Sequence, residues 1–361
     1  MSKKRHFETL DALRFFAFFV VFLSHCPLKE IPYLNYFSKS GGIGVSFFFV
    51  LSGFLISYIL LFEKQQKEIN LKNFFARRML RIWPLFYGLI LFAWATPYLL
   101  DFLNLSYSSE GYNPNWLSSI LFLENYQMML QNSFPNVSPL GVMWSVCIEE
   151  HFYIIWGILF YTVAIKNIPK LIIGSIIIAN IFRLVYHNLS IEFIDVFTNL
   201  DLFAYGAIPA YLIIKKPEIF SYFEKLNPLI KHSFVVITIA TVVIISNNNF
   251  PYWELYATTV LGVLFTILLV FTILKTNKLF ISNNSIFSKL GKYTYGLYLY
   301  HTIFIKLTFR TIDKFIIIES AILRNITISL FALILSIIVS IISFYLFENQ
   351  FIKLKKYFYK S

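Results

Sequence analysis

Two cysteines, Cys26 and Cys147, are all that the 361 residues contain, so neither a disulfide framework nor a CxxC metal signature organises this chain. No metal site is evident in the sequence. Charge is scarce as well: 14% of residues are Asp, Glu, Lys or Arg, where a soluble domain has about a quarter. There is no convincing internal repeat, no low-complexity linker and no stretch that reads as a soluble domain. A net charge of +12 could suggest nucleic acid, but the basic residues do not gather into one folded domain and no recognition motif is present, which excludes that partner. What is abundant is apolar. Of all residues 58% are hydrophobic, and runs at 10–26, 42–62, 84–100 and 326–347 approach or reach the roughly 20 residues that cross a bilayer as helix. Lys3, Lys4 and Arg5 precede the first run as in a signal peptide, yet no small-residue cleavage site follows, so it reads as a retained first span. The lipid bilayer is the main solvent, and the fold class is all-α, a polytopic transmembrane helical bundle.

Ten spans are expected, at about 10–28, 42–62, 82–103, 142–165, 171–187, 198–214, 233–248, 253–274, 293–310 and 326–347. With a cytoplasmic N-terminus the inner segments are 1–9, 63–81, 166–170, 215–232, 275–292 and 348–361. These hold 23 of the 31 Lys and Arg residues, and that asymmetry orients the chain with both termini cytoplasmic. The longest outer loop, 104–141, has no Lys or Arg at all; its apolar stretch 116–130 either lies along the outer interface or dips into it. A single transmembrane domain over 1–361 is expected, with no appended soluble domain.

Ionisable residues inside spans are expensive and face a cavity or a partner. Arg14 and His25, eleven apart on the first span, lie within about 20° of one face and about 16 Å apart in height. A His near the outer end can take and return a proton near neutral pH, as a general base on a hydroxyl must. The fourth span opens with Trp144-Ser145-Val146-Cys147-Ile148-Glu149-Glu150-His151. Neighbours on a helix diverge by 100°, so Glu149 and Glu150 point different ways, one into the bundle and the other toward loop or headgroups. A carboxylate facing His25 could orient its tautomer, as the acid of a hydrolase triad does. Arg78 and Arg81, three apart on a cytoplasmic helix face, form a fork suited to phosphates. His301, nine residues into the ninth span, is either a second base or a hydrogen bond between helices. Arg183 and Asp201 are further intramembrane charges. Ser46 and Ser52 sit in the second span without a GxSxG elbow, and Ser52 reads as a packing residue beside Gly53.

At these residues the chain resembles the acyltransferase 3 family of bacterial membrane proteins. The likeness is carried by Leu10-Asp11-Ala12-Leu13-Arg14 with its spacing to His25, by Gly44-Val45-Ser46-Phe47-Phe48-Phe49-Val50-Leu51-Ser52-Gly53, by Arg78-x-x-Arg81, by Trp144-Ser145 through Glu149-Glu150-x-Phe152-Tyr153, and by Tyr295-Gly296-Leu297-Tyr298-Leu299-Tyr300-His301. One departure is Gln350, two residues after Glu348, where family members often carry Pro. The resemblance implies a multi-pass protein of the bacterial plasma (inner) membrane. It implies acyl-CoA, acetyl-CoA foremost, as cytoplasmic donor, with Arg14, Arg78 and Arg81 holding its phosphates. It further implies His25 as catalytic base, Glu149 and Glu150 as supporting acids, and a carbohydrate or glycolipid acceptor, such as a lipopolysaccharide or another exported polysaccharide, presented outside. Transfer is either direct or by way of a side chain. The rival class, a secondary transporter or flippase, would be expected to show inverted repeats, which are absent.

Overall fold

The structure is a computed structural model that describes residues 5–28, 31, 34–67, 69–102, 110–247 and 251–359. The basic residues Lys3 and Lys4, residue 103 at the end of the third expected span, the start of the expected outer loop at 104–109, and residue 248 at the end of the seventh expected span lie outside the described residues. Helices account for nearly all of the rest, and no strand occurs among the described residues beyond an isolated bridge between Tyr112 and Pro135.

Seven helices are long and apolar enough to cross a membrane. They are α2 (Gly41–Gln65), α3 (Leu71–Phe102), α6 (Met143–Thr162, entered through a 3-10 turn), α7 (Ile168–Asn188), α10 (Pro228–Asn247), α11 (Trp253–Ile273) and α14 (Ala321–Ser343). The other three expected spans also fold as helices in the expected places: α1 (Thr9–His25), α8 (Leu200–Lys215) and α13 (Thr294–Phe315). α1 and α8 have 17 and 16 residues, short of the roughly 20 that a lipid-facing span requires. α13 ends in Lys306, Arg310, Asp313 and Lys314, which lower its hydropathy. Shorter helices fill the connections: α4 (Trp116–Ile120), α5 (Glu124–Gln131), α9 (Phe220–Lys225), α12 (Ile286–Gly291) and α15 (Asn349–Lys353).

α2 is the central helix and α10 a peripheral one, since most of the first is buried by protein and little of the second. α8 packs directly against α2. Cβ atoms added at Gly53 and Gly206 would lie 2.1 Å from the Phe203 carbonyl oxygen and 2.0 Å from that of Val50, so the two backbones touch, as small residues permit. Phe203 then stacks between Phe49 and Phe152, at centroid distances of 4.7 and 3.8 Å, and joins α8, α2 and α6. Where α6 ends, Lys64 of α2 donates to the carbonyls of Phe160, Tyr161 and Val163 at 2.5–2.9 Å, which satisfies acceptors that a helix terminus leaves open.

One end of the bundle gathers the expected inner segments. The Arg5 backbone N–H donates to the Tyr58 hydroxyl (2.8 Å), Glu8 pairs with Lys275 (2.6 Å), and Arg77 reaches both Glu63 (2.7 Å) and the Phe358 carbonyl (2.7 Å). At the opposite end lies the apolar stretch 116–130. It breaks into α4 and α5 and is pinned by Phe122 stacked on Phe86 at 4.0 Å and by Asn125 donating to the Ile194 carbonyl at 3.0 Å. Beneath it the buried Glu124 accepts from Ser119 and from the Tyr112 hydroxyl. Burial and the Glu124 carboxylate raise the Tyr112 phenol above its ordinary value.

Candidate active site

The inner cavity, about 100 Å³, is walled by α1, α2, α3, α6 and α13, and Arg14, Arg78, Arg81 and Glu149 all line it. Four expected site residues, drawn from positions up to 135 apart in the chain, therefore meet. Arg14 is tethered by Asp11 one turn earlier (3.0 Å). Arg78 and Arg81 have no carboxylate partner among the described residues, and Arg78 Nε is buried without any hydrogen-bond acceptor. Two half-buried guanidiniums left in this way form a socket for an anion, because a desolvated cation without a partner is costly. The helix carrying them is loosened here. Pro84 deletes one ladder donor, and in the same turn the Ile82 carbonyl accepts from the Tyr295 hydroxyl at 2.8 Å.

Both glutamates enter the bundle, which corrects the expectation that one of them reaches loop or headgroups. Glu149 faces the cavity and accepts from Ser52 (2.7 Å) and from Tyr153 (3.1 Å), four residues along the same helix face. Ser52 is thus a polar cavity residue and not the packing residue expected. Glu150, turned by 100°, faces α3; its Oε2 accepts from Trp83 Nε1 at 3.1 Å and its buried Oε1 has no partner.

His25 lies outside the inner cavity, at the junction of two others: one of about 280 Å³ and one of about 670 Å³ that also includes Lys306, Arg310 and Arg324. Its Nδ1 is 2.9 Å from the Val21 carbonyl. A carbonyl only accepts, so Nδ1 carries the proton and Nε2 keeps its lone pair, the tautomer a general base needs. The carboxylates of Glu149 and Glu150 are engaged with Ser52, Tyr153 and Trp83. The expected carboxylate orienter of His25 is therefore replaced by a backbone carbonyl, supplied by the helix itself four residues back. Tyr298 and Val45 line both the inner cavity and the 280 Å³ one, and so form the wall between cations and imidazole. Tyr298 is held there by Ser145 (2.6 Å) and by donation to the Val142 carbonyl (3.2 Å).

His301 is fully buried, with its ring centroid 4.9 Å from that of His25 and edge to face with it. Its Nδ1 donates to the Tyr298 carbonyl at 2.6 Å, and its Nε2 has no partner. Arg183 and Asp201 pair with each other through two hydrogen bonds of 2.9 and 2.6 Å, both side chains being essentially inaccessible; they staple α7 to α8 away from the cavities. Sequence reasoning gave Tyr153 and Tyr298 no role. The four-residue step from Glu149 to Tyr153 is a legible signal, whereas the place of Tyr298 between two cavities depends on how α13 docks. Among the described residues no group of three or more His, Cys, Asp or Glu could hold a metal ion.

The chain is 33% identical over 187 residues, 48% of its own length and 27% of the relative's, to a peptidoglycan O-acetyltransferase of Listeria monocytogenes serovar 1/2a. It is 37% identical over 160 residues, 42% of the chain and 23% of the relative, to a Bacillus subtilis protein named provisionally as a peptidoglycan O-acetyltransferase. A provisional O-acetyltransferase of Staphylococcus aureus is 26% identical over 322 residues, 83% of the chain and 51% of the relative. The chain thus spans between about a quarter and a half of the length of these curated relatives. No solved structure matches it. The Acyltransferase domain family matches residues 7–345, and the chain belongs to this acyltransferase 3 family of membrane proteins.

Proposed function

We propose that the protein is a membrane-embedded O-acetyltransferase that moves an acetyl group from acyl-CoA, bound from the cytoplasmic side, to a hydroxyl of an extracytoplasmic or lipid-linked carbohydrate. In this reading the ten long helices are ten spans of a bacterial inner membrane, with both termini in the cytoplasm. The observation that carries it is the pairing of an anion socket with a base of the right tautomer. Arg14, Arg78 and Arg81 share one cavity, and His25, with Nε2 free, stands beyond the Tyr298 and Val45 wall. The names of the relatives favour a cell-wall glycan as acceptor.

The donor's phosphates are held by the Arg14, Arg78 and Arg81 guanidiniums, which match phosphate oxygens in geometry and charge, and its thioester reaches toward His25. His25 Nε2 removes the proton from the acceptor hydroxyl as the oxygen attacks the thioester carbonyl. The new C–O bond forms, the C–S bond breaks, and the departing thiolate recovers the proton from the imidazolium. Donation from Nδ1 to the Val21 carbonyl strengthens as the ring becomes cationic. Glu149, seated among the arginines, limits their mutual repulsion.

The test is transfer of label from radiolabelled acetyl-CoA to glycan in membranes carrying wild type or His25→Gln, with insertion verified in both. Stoichiometric release of free CoA thiol with label in glycan, both lost in His25→Gln, is the expected result. Wild-type membranes that label no glycan, or a variant that labels as well as wild type, would overturn the reaction class or the base respectively.

A further inference from the structure

Outside the six inner segments the chain has eight Lys and Arg residues, and four of them, Lys306, Arg310, Lys314 and Arg324, fall on the last half of α13 and the first turn of α14. On the proposed topology this is the outer face, where cations are least expected. Three of the four have a common destination. Lys306, Arg310 and Arg324 line the 670 Å³ cavity that His25 borders. Lys306 and Arg310 are one turn apart on the same helix face. Arg324 is already engaged: its Nε donates to Asp313 at 2.8 Å and its guanidinium lies 5.1 Å from the centre of the Phe309 ring. Lys306 and Arg310 make no ion pair among the described residues, and the acid whose field reaches Lys306 is Glu110. Lys39 adds a further cation to the other cavity beside His25. Apart from the imidazole, Phe309 is the lone aromatic on the wall of the larger cavity among the described residues, so charge leads the recognition there.

We propose that this outer cavity is the acceptor site and that it selects an anionic acceptor, a carbohydrate carrying a carboxylate or a phosphate close to the hydroxyl that is acetylated, with Lys306 and Arg310 holding the anion beside His25. The proposal rests on the O-acetyltransferase reading above and narrows its substrate class. Two exposed cations one turn apart, without an ion pair among the described residues, attract an anion more strongly beside the low-dielectric wall of the cavity than they would in open water, and their hydrogen bonds to it are charge-assisted. A neutral sugar would leave both unpaired.

The test uses the full chain in phosphatidylcholine nanodiscs and three soluble probes of equal length: a neutral galacto-oligosaccharide, an oligogalacturonate and a phosphorylated oligosaccharide. Binding is measured by calorimetry at low and high salt. One or both acidic probes should bind about tenfold or more tightly than the neutral one, with the preference shrinking as salt screens it; which probe prevails separates carboxylate from phosphate. Lys306→Gln/Arg310→Gln should abolish the preference, and Lys306→Arg/Arg310→Lys should retain it. Equal binding of neutral and acidic probes, no binding at all, or a preference that persists in the Gln variant overturns the proposal. So does complete loss of acidic-probe binding in phosphatidylglycerol nanodiscs, which would assign the cavity to lipid headgroups. Acetyl transfer to the same probes separates the two levels of reading. Transfer to neutral and acidic probes alike ends charge selection and leaves the acetyltransferase, whereas charge-selective binding without transfer keeps the site and counts against the transfer reaction.

Discussion

Replacing Arg81 by Gln removes the charge and shortens the side chain, leaving one amide that can still hydrogen-bond in place of the guanidinium fork, and the surroundings of Arg81 make the outcome specific. Two of the nearby acids are satisfied elsewhere: Asp11 holds Arg14 and Glu149 accepts from Ser52 and Tyr153. Loss of the Arg81 charge therefore leaves Asp11 and Glu149 with their partners, but it takes from the buried Glu348, which accepts from Ser343, the cation whose field reaches it, so a modest loss of stability should accompany the substitution. Binding should suffer. A hydrogen bond to a charged group contributes about 1.5–3 kcal/mol, so losing one phosphate contact should raise KM for acetyl-CoA about ten- to a hundredfold, with kcat changed far less, the pattern of lost ground-state binding. Arg78→Gln should behave alike. Arg77→Gln, one residue before Arg78, should instead lower stability, because Arg77 holds Glu63 and the Phe358 carbonyl and does not line the cavity. The assay is steady-state transfer in nanodiscs with acetyl-CoA and, in parallel, acetyl-pantetheine, which lacks the nucleotide phosphates. The truncated donor should be insensitive to Arg81→Gln. An unchanged KM for acetyl-CoA, or an equal loss with the truncated donor, refutes the socket.

Arg183→Met should cost about 3–5 kcal/mol by leaving Asp201 buried and unpaired, and Arg183→Met/Asp201→Leu should recover most of it; thermal unfolding in detergent, followed by tryptophan fluorescence, compares them. Gly206→Ala, whose Cβ would meet the Val50 carbonyl at 2.0 Å, should cost at least about 1–3 kcal/mol through overpacking and reduce the monodisperse fraction in size exclusion, while Gly174→Ala, with nothing within 4 Å, should elute as wild type. Tyr112→Phe should leave Glu124 with Ser119 alone, weaken the outer loop by about 1–3 kcal/mol and speed hydrogen exchange over 110–137. Outside the spans, the hydrogen bond from Lys275, aided by the Asn283 amide, holds the Glu8 carboxyl below its ordinary value. A lowered value stabilises above the unfolded-state pKa and is lost as pH falls through the folded one, so acid should free residues 5–8 for proteolysis where neutral pH does not.

The ten helices were legible because apolar length is a local property, and so was the bearing of Arg14 to His25 along one helix. What a single helix cannot report is the facing partner. Glu149 and Glu150 were read correctly as diverging, but that Trp83 meets one while Ser52 and Tyr153 meet the other depends on α2 and α3 docking against α6. The same limit hid the orienter of His25. A triad acid was sought in another span, yet a helical residue always has a carbonyl four positions back, and here Val21 supplies it. Arg183 and Asp201, 18 residues apart and in different helices, looked like separate intramembrane charges until α7 and α8 packed.

The division of the site bears on how the proposed transfer is gated. The cations and the imidazole sit in separate cavities whose shared wall is Val45 and Tyr298, so the donor's arm and the base meet only if that wall yields. Tyr298 is fixed by two hydrogen bonds, to Ser145 and to the Val142 carbonyl, each contributing about 0.5–1.5 kcal/mol net. Swinging the phenol aside therefore costs on the order of 1–3 kcal/mol, small beside the barrier of an acyl transfer. Moving α13 instead would expose His301, buried with its Nε2 unpartnered, and separate α13 from α1 and α14. Swinging Tyr298 breaks two hydrogen bonds whereas moving α13 also breaks its packing on α1 and α14, so for the proposed transfer the phenol is the cheaper gate.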